Sequence, residues 1–373
     1  MLSFAPFVRL PVQAALAFTC ALSTPALAAP APAAAATAPN PGDLPLAPGE
    51  GRKVALELAT QLESDFILPA NGRDYAAMLR ANAATGKYDD GTRGALAKRM
   101  NDDLMAVHKD GHLAVRVSEP PRERGHTGLS APLVQSAKTI APGIGYIRFT
   151  AFFGTDEEMQ QVRDWLAANK DAKTLIFDLR NHHGGGLDEQ DLIFSKLFAT
   201  RQPLVRMEMA KAVFDENGAP TGENPNLRFA PKGRMVEAIH YSAPDATSTL
   251  TRANVYLLTS NRSASAAEHF ALALKSTGRA TLLGEPTAGA NHFGGGSELT
   301  EHFNVWLPIG RTSDVKTGQD WEGAGIAPDI AVDPKLALVV ALEKAGLSHA
   351  EAVRLDALEV PAEPVHSDKL RAR

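Results

Sequence analysis

From residue 144 onward the chain alternates short apolar runs with amphipathic ones, and no other feature limits its fold as much. "IGYIRFTAF" reads as a strand. "DEEMQQVRDWLAANK" reads as a helix with Trp165 and Leu166 on its apolar face, and "KTLIFDL" as a short, fully apolar strand. "DEQDLIFSKLFA" is a second helix, "NVYLLTS" another buried strand and "SAAEHFALALKS" its helix. "ATLLGE", "FNVWLP" and "IAPDIAV" read as further strands. Strands and helices in alternation predict an α/β core.

The flanking segments differ in pattern. Residues 49–108 place apolar side chains three and four apart, which predicts helices, and "GHLAVRVS" then alternates like a strand. Residues 201–252, with "FDENGAPTGENPN", read as a loop-rich hairpin insertion. At the N-terminus Arg9 precedes an apolar run ending at Leu22, and Ala26-Leu27-Ala28 gives an A-x-A cleavage pattern. This predicts a secretory signal peptide over 1–28. An Ala/Pro-rich linker follows over 29–47, then an N-terminal helical subdomain (48–125), an α/β core (126–345) and a polar C-terminal tail (346–373). Cys20, the single cysteine, lies inside the signal segment, so the mature chain has no thiol for a disulfide or a metal. Nothing after residue 30 is apolar for long enough to span a bilayer. A net charge of −5 predicts no grip on nucleic acid and no basic membrane patch.

Four pieces carry candidate chemistry. In "SNRSASAAEHFALALK" a buried strand turns into a helix at Ser265. Ser265 and Glu268 fit a capping box, which needs no further role. The same junction would also hold a nucleophile rigidly, with the first free N–H groups of the helix aimed at an oxyanion. In "LIFDLRNHHGGGLDEQD" three glycines end an apolar strand, and their N–H groups can complete an oxyanion hole. The neighbours His182 and His183 point apart on an extended segment, which argues against a metal pair. "HKDGHLAV" places His112 before a strand, with an ordinary pKa suited to a general base. "TGQDWEGAGIAPDIAV" sets Glu322 between Trp321 and Gly323, where a carboxylate can orient a base.

Together, "DGHLAV", "IGYIRF", "DLRNHHGGG", "SASAAEHFALALKSTGRATLLGEPTAG" and "WEGAGIAPDIAV" resemble the tail-specific, or C-terminal-processing, serine peptidases. The resemblance runs over residues 50–345. It is stronger to the branch with the tricorn protease core and the interphotoreceptor retinoid-binding protein repeats. It implies a crotonase/ClpP-like core of strand-helix units with an N-terminal helical subdomain. It implies Ser265 as nucleophile, with the N–H of Ala266 and one from Gly184 or Gly185 forming the oxyanion hole. The tail-specific branch has a lysine base in G-E-P-T-x-G-K; here "GEPTAGA" puts Ala290 there. The tricorn-like branch uses a histidine and a glutamate, and His112 and Glu322 match those positions. There a serine before the histidine links the two, whereas this chain has Gly111, so a water would bridge them. His292, near the missing lysine, is the alternative base. About 25 residues separate Val117 from Ile144, too few for the PDZ domain that many tail-specific members carry there.

The function so implied is a secreted serine endopeptidase, periplasmic in a Gram-negative host, acting on peptides or unfolded proteins without metal or cofactor. The retinoid-binding relatives keep a second class open, a non-catalytic module binding an apolar ligand or peptide.

Overall fold

In the computed structural model, which describes residues 40–118, 132–219 and 221–359, the apolar runs become the inner strands of two sheets. Helices α1 (Glu50–Asp65), α2 (Pro69–Ala84) and α3 (Arg93–Val107) come first. Their apolar side chains share one face, so Val54, Leu58, Leu62, Tyr75 and Leu79 are fully buried. Next are β1 (Ala114–Val117), β2 (Val134–Ala141), β3 (Ile144–Phe149), α4 (Asp156–Ala168), β4 (Thr174–Asp178) and α5 (Asp188–Leu197). Then follow β5 (Pro203–Ala210), α6 (Lys211–Asn217), β6 (Leu227–Lys232), β7 (Met235–Tyr241), β8 (Asn254–Thr259) and α7 (Ala266–Ser276). The last elements are β9 (Thr281–Gly284), β10 (His292–Thr300), β11 (Phe303–Asp314), β12 (Ile330–Ala331), α8 (Ala337–Lys344) and α9 (His349–Ala357).

One sheet has the order β12-β9-β8-β4-β3-β2. All its neighbours pair in parallel except β2, which runs antiparallel to β3. Helices α4, α5 and α7 pack on one face and α8 and α9 on the other. With both faces covered, all five residues of β4 are buried, which is why "TLIFD" has no polar alternation. The other sheet is antiparallel, β1-β11-β5-β7-β6, with β10 also on β11. Helices α1 to α3 cover β1 and β11 through Val115, Phe303, Val305 and Leu307.

Several expectations need correction. Residues 201–252 are not mainly loop: β5, β6 and β7 form a three-stranded antiparallel piece with the short α6. "FNVWLP" joins the antiparallel sheet as part of β11 rather than the parallel core. In the expected polar tail, residues 349–357 form α9, whose Ala352 and Leu355 are buried against α8. The end of the expected linker is also built in. Arg93 N–H donates to the Leu44 carbonyl and Leu46 N–H to Gly91, beside a bridge from Pro45 to Thr92. The expected signal peptide and residues 29–39 of the linker lie outside the described residues.

An aromatic cluster fixes α7 on the parallel sheet. Phe270 stacks on Phe194 at 5.2 Å and meets Phe177 at 5.5 Å and Phe152 at 6.0 Å edge-on. Because Phe270 is fully buried, Phe270→Ala is expected to cost about 3–5 kcal/mol in denaturant unfolding.

Candidate active site

The carboxyl ends of β4 and β8 lie side by side, the place where open α/β sheets bind ligands. Two loops leave from there and are sewn together. The Ser263 hydroxyl donates to the Leu179 carbonyl at 2.7 Å, the Ser260 hydroxyl donates to Arg180, and Ala264 N–H donates to the His182 carbonyl at 2.9 Å. One loop carries Gly184 to Gly186 and the other ends at Ser265.

Ser265 has φ 55° and ψ −115°, and among the described residues no other non-glycine has a positive φ. Thr92, Thr155 and Ser348 cap α3, α4 and α9 from ordinary extended backbone, with φ of −96°, −66° and −67°. Capping therefore does not require the conformation of Ser265, which costs about 1–3 kcal/mol. A sharp, strained strand-to-helix turn is what exposes the serine in a nucleophile elbow, although the G-x-S-x-G motif is absent.

A buried carboxylate holds the strain. Glu268 Oε2 accepts the N–H of Ser265 at 2.9 Å and of Ala290 at 2.9 Å. Its Oε1 accepts the N–H of Gly289 at 2.8 Å and the Thr287 hydroxyl at 2.6 Å. Burial pushes the Glu268 carboxyl above the ordinary range, against the pull of these four donors. The expected link from Glu268 back to Ser265 is present, and it extends to a second segment of chain.

Two N–H groups beside Ser265 take no protein acceptor among the described residues, those of Ala266 and Gly185. The α-carbon of Gly184 is pressed against the serine: a Cβ there would sit 2.8 Å from Ser265 Cβ and 3.2 Å from Oγ. Gly184 N–H is already taken, donating to His182 Nδ1 at 3.1 Å. Burial pushes His182 down to about 3, so this ring is neutral and can accept. Of the two expected glycine donors, Gly185 is thus the open one. A Cβ on Gly185 would run into the Phe152 carbonyl, and its φ of 133° suits only glycine. Gly184 and Gly186 pair with Phe152 on both sides, through Phe152 N–H to Gly184 at 2.9 Å and Gly186 N–H to Phe152 at 2.6 Å. His182 and His183 do part as expected, His182 buried against Phe152 and His183 exposed.

The histidines and carboxylates form a second cluster. Asp110 Oδ1 accepts the N–H of His112 at 2.8 Å and of Leu113 at 3.1 Å. Its Oδ2 lies 2.7 Å from His292 Nδ1, and both residues are buried. Glu322 Oε2 accepts the N–H of Asn291 at 2.8 Å and of His292 at 3.1 Å. Gly323 N–H donates to the Gly289 carbonyl at 2.8 Å, tying the Glu322 loop to the segment that Glu268 anchors. His112 is partly exposed, but its Nδ1 is buried without a partner among the described residues. Burial lowers the His112 pKa, and the charges of Glu322 and then Asp110 oppose this. Burial also disfavours charge on His292, yet the bond to Asp110 and the nearby carboxylates prevail and raise its pKa. Asp110 is lowered despite its burial, because His292 binds it. No hydrogen bond joins Ser265 to either histidine among the described residues, and such bonds often tighten only with substrate.

Ligand atoms of Asp110, His292 and Glu322 lie within 4.8 Å of one another, close enough to hold a divalent cation. Each group already has a partner, since Asp110 and His292 bind each other and Glu322 binds two backbone N–H groups. Asp110 is the site residue that the sequence patterns above do not single out. The signal was present, because an aspartate two residues before His112 can fold an Asx-turn.

A strained serine with open N–H groups is thus tied, through Glu268 and residues 289–290, to a cluster of imidazoles and carboxylates. The family model of peptidase family S41 matches residues 143–332, a little over half of the chain, and the chain belongs to that family. The match contains Ser265, Gly184, Gly185, His292 and Glu322, while Asp110 and His112 precede it. Proteins of several Staphylococcus aureus strains, COL and MRSA252 among them, named as probable CtpA-like serine proteases, are 30% identical over 175 residues. That alignment covers 45% of this chain and 29% of theirs, so the chain matches under a third of their length. Among solved structures, the photosystem II D1 C-terminal processing protease superposes with a TM-score of 0.50 at 14% identity, covering 77% of this chain and 94% of that one. A lipoprotein from Streptococcus agalactiae gives a TM-score of 0.52 at 15% identity, covering 81% and 99%. At these identities the likeness is one of fold, and the α/β architecture is that of S41 peptidases.

Glu268→Gln would turn an NH₂ group toward buried N–H donors that now bind an oxygen. It is expected to cost about 2–4 kcal/mol, read from urea unfolding at pH 7.

Proposed function

We propose that this protein is an exported serine endopeptidase that cuts peptides or unfolded proteins through an acyl-enzyme on Ser265. The carrying observation is the strained Ser265 beside the unpaired N–H groups of Ala266 and Gly185. A non-catalytic binding module needs neither feature. Ser265 Oγ attacks the scissile carbonyl, and its proton passes to His112. The developing oxyanion sits between Ala266 and Gly185, while Gly184 shapes the wall against the serine. His112 then protonates the leaving amine, and a water repeats the cycle on the ester.

Glu322 stabilises the imidazolium of His112 through a bridging water. In support, the position before His112 is Gly111, and the His112 Nδ1 is buried and unpartnered, as a missing linker would leave it. Glu322 is also the first of the charges that raise the His112 pKa. His292, bound to Asp110, braces the segment that presents Ala290 and Asn291. The N-terminal segment ending at Ala28 acts as the export signal, releasing a chain that begins at residue 29, periplasmic in a Gram-negative host.

The test is hydrolysis of a mixed unstructured peptide library by the chain from residue 29, with cuts located by mass spectrometry. Cuts are expected with the wild type and none with folded Ser265→Ala; equal cutting by both would sink the reading. If His292→Ala loses activity while His112→Ala keeps it, the base is His292.

The pH profile gives a second check. Burial lowers the His112 pKa, so the base stays neutral and active as pH falls below the usual histidine range. Glu322→Gln removes a charge that raises this pKa. Its acid limb is therefore expected to move to lower pH while kcat/KM falls at least about tenfold.

Gly111→Ser is expected to act in the opposite sense. A Cβ at residue 111 meets nothing within 4 Å, so a serine fits. Glu322 is too far to bond that hydroxyl directly, so the serine would act by holding the bridging water, raise kcat/KM and move the acid limb upward. An unchanged profile would show that the two residues are not coupled there.

A further inference from the structure

The loop that pairs with the oxyanion glycines is itself held by two acidic side chains. Phe152 makes both bonds to Gly184 and Gly186. The next two N–H groups, of Phe153 and Gly154, donate to Glu158 Oε2 at 3.2 Å and to Glu189 Oε1 at 2.6 Å. Glu158 lies in the first turn of α4 and Glu189 in the first turn of α5, and they are 2% and 0% exposed. Their other oxygens, Glu158 Oε1 and Glu189 Oε2, are buried without a donor among the described residues. The two side chains lie within hydrogen-bonding reach of each other.

Two neighbouring buried carboxylates cannot both be charged at low cost, and one proton between them would satisfy both orphaned oxygens. We propose that Glu158 and Glu189 are positioning residues, a carboxyl–carboxylate pair whose shared proton holds residues 152–154 and, through Phe152, the oxyanion glycines in place. The catalytic consequence rests on the peptidase reading above. Burial, then the bond to Glu189 and its charge, push Glu158 up to about 8.

Among the described residues, the surroundings offer no cation to replace the proton. From α4 the nearby ionisable groups are Asp156 and Glu157, and from α5 they are Asp188 and Asp191. The Asp188 carboxylate lies against Gly154, and Asp191 is bound to His240 and Asn224. His182, under Phe152, is neutral, and His183 is exposed. Among the described residues, no cation is among the groups that act most strongly on Glu158. The sign follows directly. Below about pH 8 the pair keeps its proton and the loop is clamped. Above it, two buried negative charges repel, Phe153 and Gly154 move, and Gly185 loses its aim.

The test compares wild type with Glu158→Gln, whose amide can donate to Glu189 at every pH. Two readouts are taken: kcat and KM from pH 6 to 10, and amide hydrogen exchange of residues 150–156 and 183–187 at pH 6.5 and 9. Wild-type kcat is expected to fall about tenfold per pH unit above the ionisation, with KM little changed, while Glu158→Gln stays active through pH 9. Exchange in both segments at pH 9 should be faster in wild type than in the variant, and alike at pH 6.5. Identical alkaline limbs with identical exchange would overturn the proposal. If Glu158→Gln does not fold, Glu189→Gln, which makes the same bond in reverse, takes its place. If no form cuts any peptide, the peptidase reading fails, and the exchange comparison alone decides for or against the clamp.

Discussion

Four donors from two distant stretches of chain converge on one buried carboxylate, Glu268. The rest of the site depends on this. A serine at φ 55° relaxes unless its neighbours prevent it, and here its N–H is tied to the carboxylate one helical turn ahead. The same oxygens bind Gly289 and Ala290, so the strand that presents His292 is set relative to the serine. Gly289 in turn binds Gly323, next to Glu322. Ser265, the His292 segment and the Glu322 loop are thus placed relative to one another by backbone bonds. The large cost of removing a carboxylate from water is offset because every donor there would otherwise be buried unpaired.

On the opposite side, glycine lets main chain approach where side chains cannot. Gly184 lies against the serine and Gly185 against the Phe152 carbonyl, both at positive φ. This leaves the Gly185 N–H without a protein acceptor among the described residues, while the Gly184 N–H is consumed by His182. The neutrality of His182 matters, because a protonated ring could not accept that bond. Full burial therefore does chemical work here: it keeps one imidazole an acceptor and so decides which glycine remains free to bind an oxyanion.

Much of this was legible in the chain. Strand-helix alternation showed because β4 and β8 are covered on both faces and carry no polar pattern. Ser265 and the glycines showed because strand-to-helix turns at the carboxyl ends of parallel strands use small residues. The antiparallel piece over residues 201–252 was misjudged. β7 does alternate in burial, yet "FDENGAPTGENPN" outweighed the signal of its short strands. Helix α9 was missed because only Ala352 and Leu355 mark its buried side, and their partner is α8, not local sequence. Least legible were the pairings across space. Asp110 and His292 are 182 residues apart, and nothing local to either predicts the other. Glu158 and Glu189 each look like ordinary first-turn helix acids.

The carboxylates around the two histidines are divided unequally, and that division sets the character of each ring. Asp110 spends one oxygen on the His112 backbone and the other on the His292 ring. His292 is therefore held as a paired, readily charged group, and its Nδ1 is occupied. Glu322 spends one oxygen on two backbone N–H groups and reaches the His112 ring only through its field. His112 is the imidazole left with a depressed pKa and a ring nitrogen in want of a partner. A base must be neutral before it acts and stabilised once it is charged. Of the two rings, His112 meets the first condition through burial, and a water at the space beside Gly111 would supply the second.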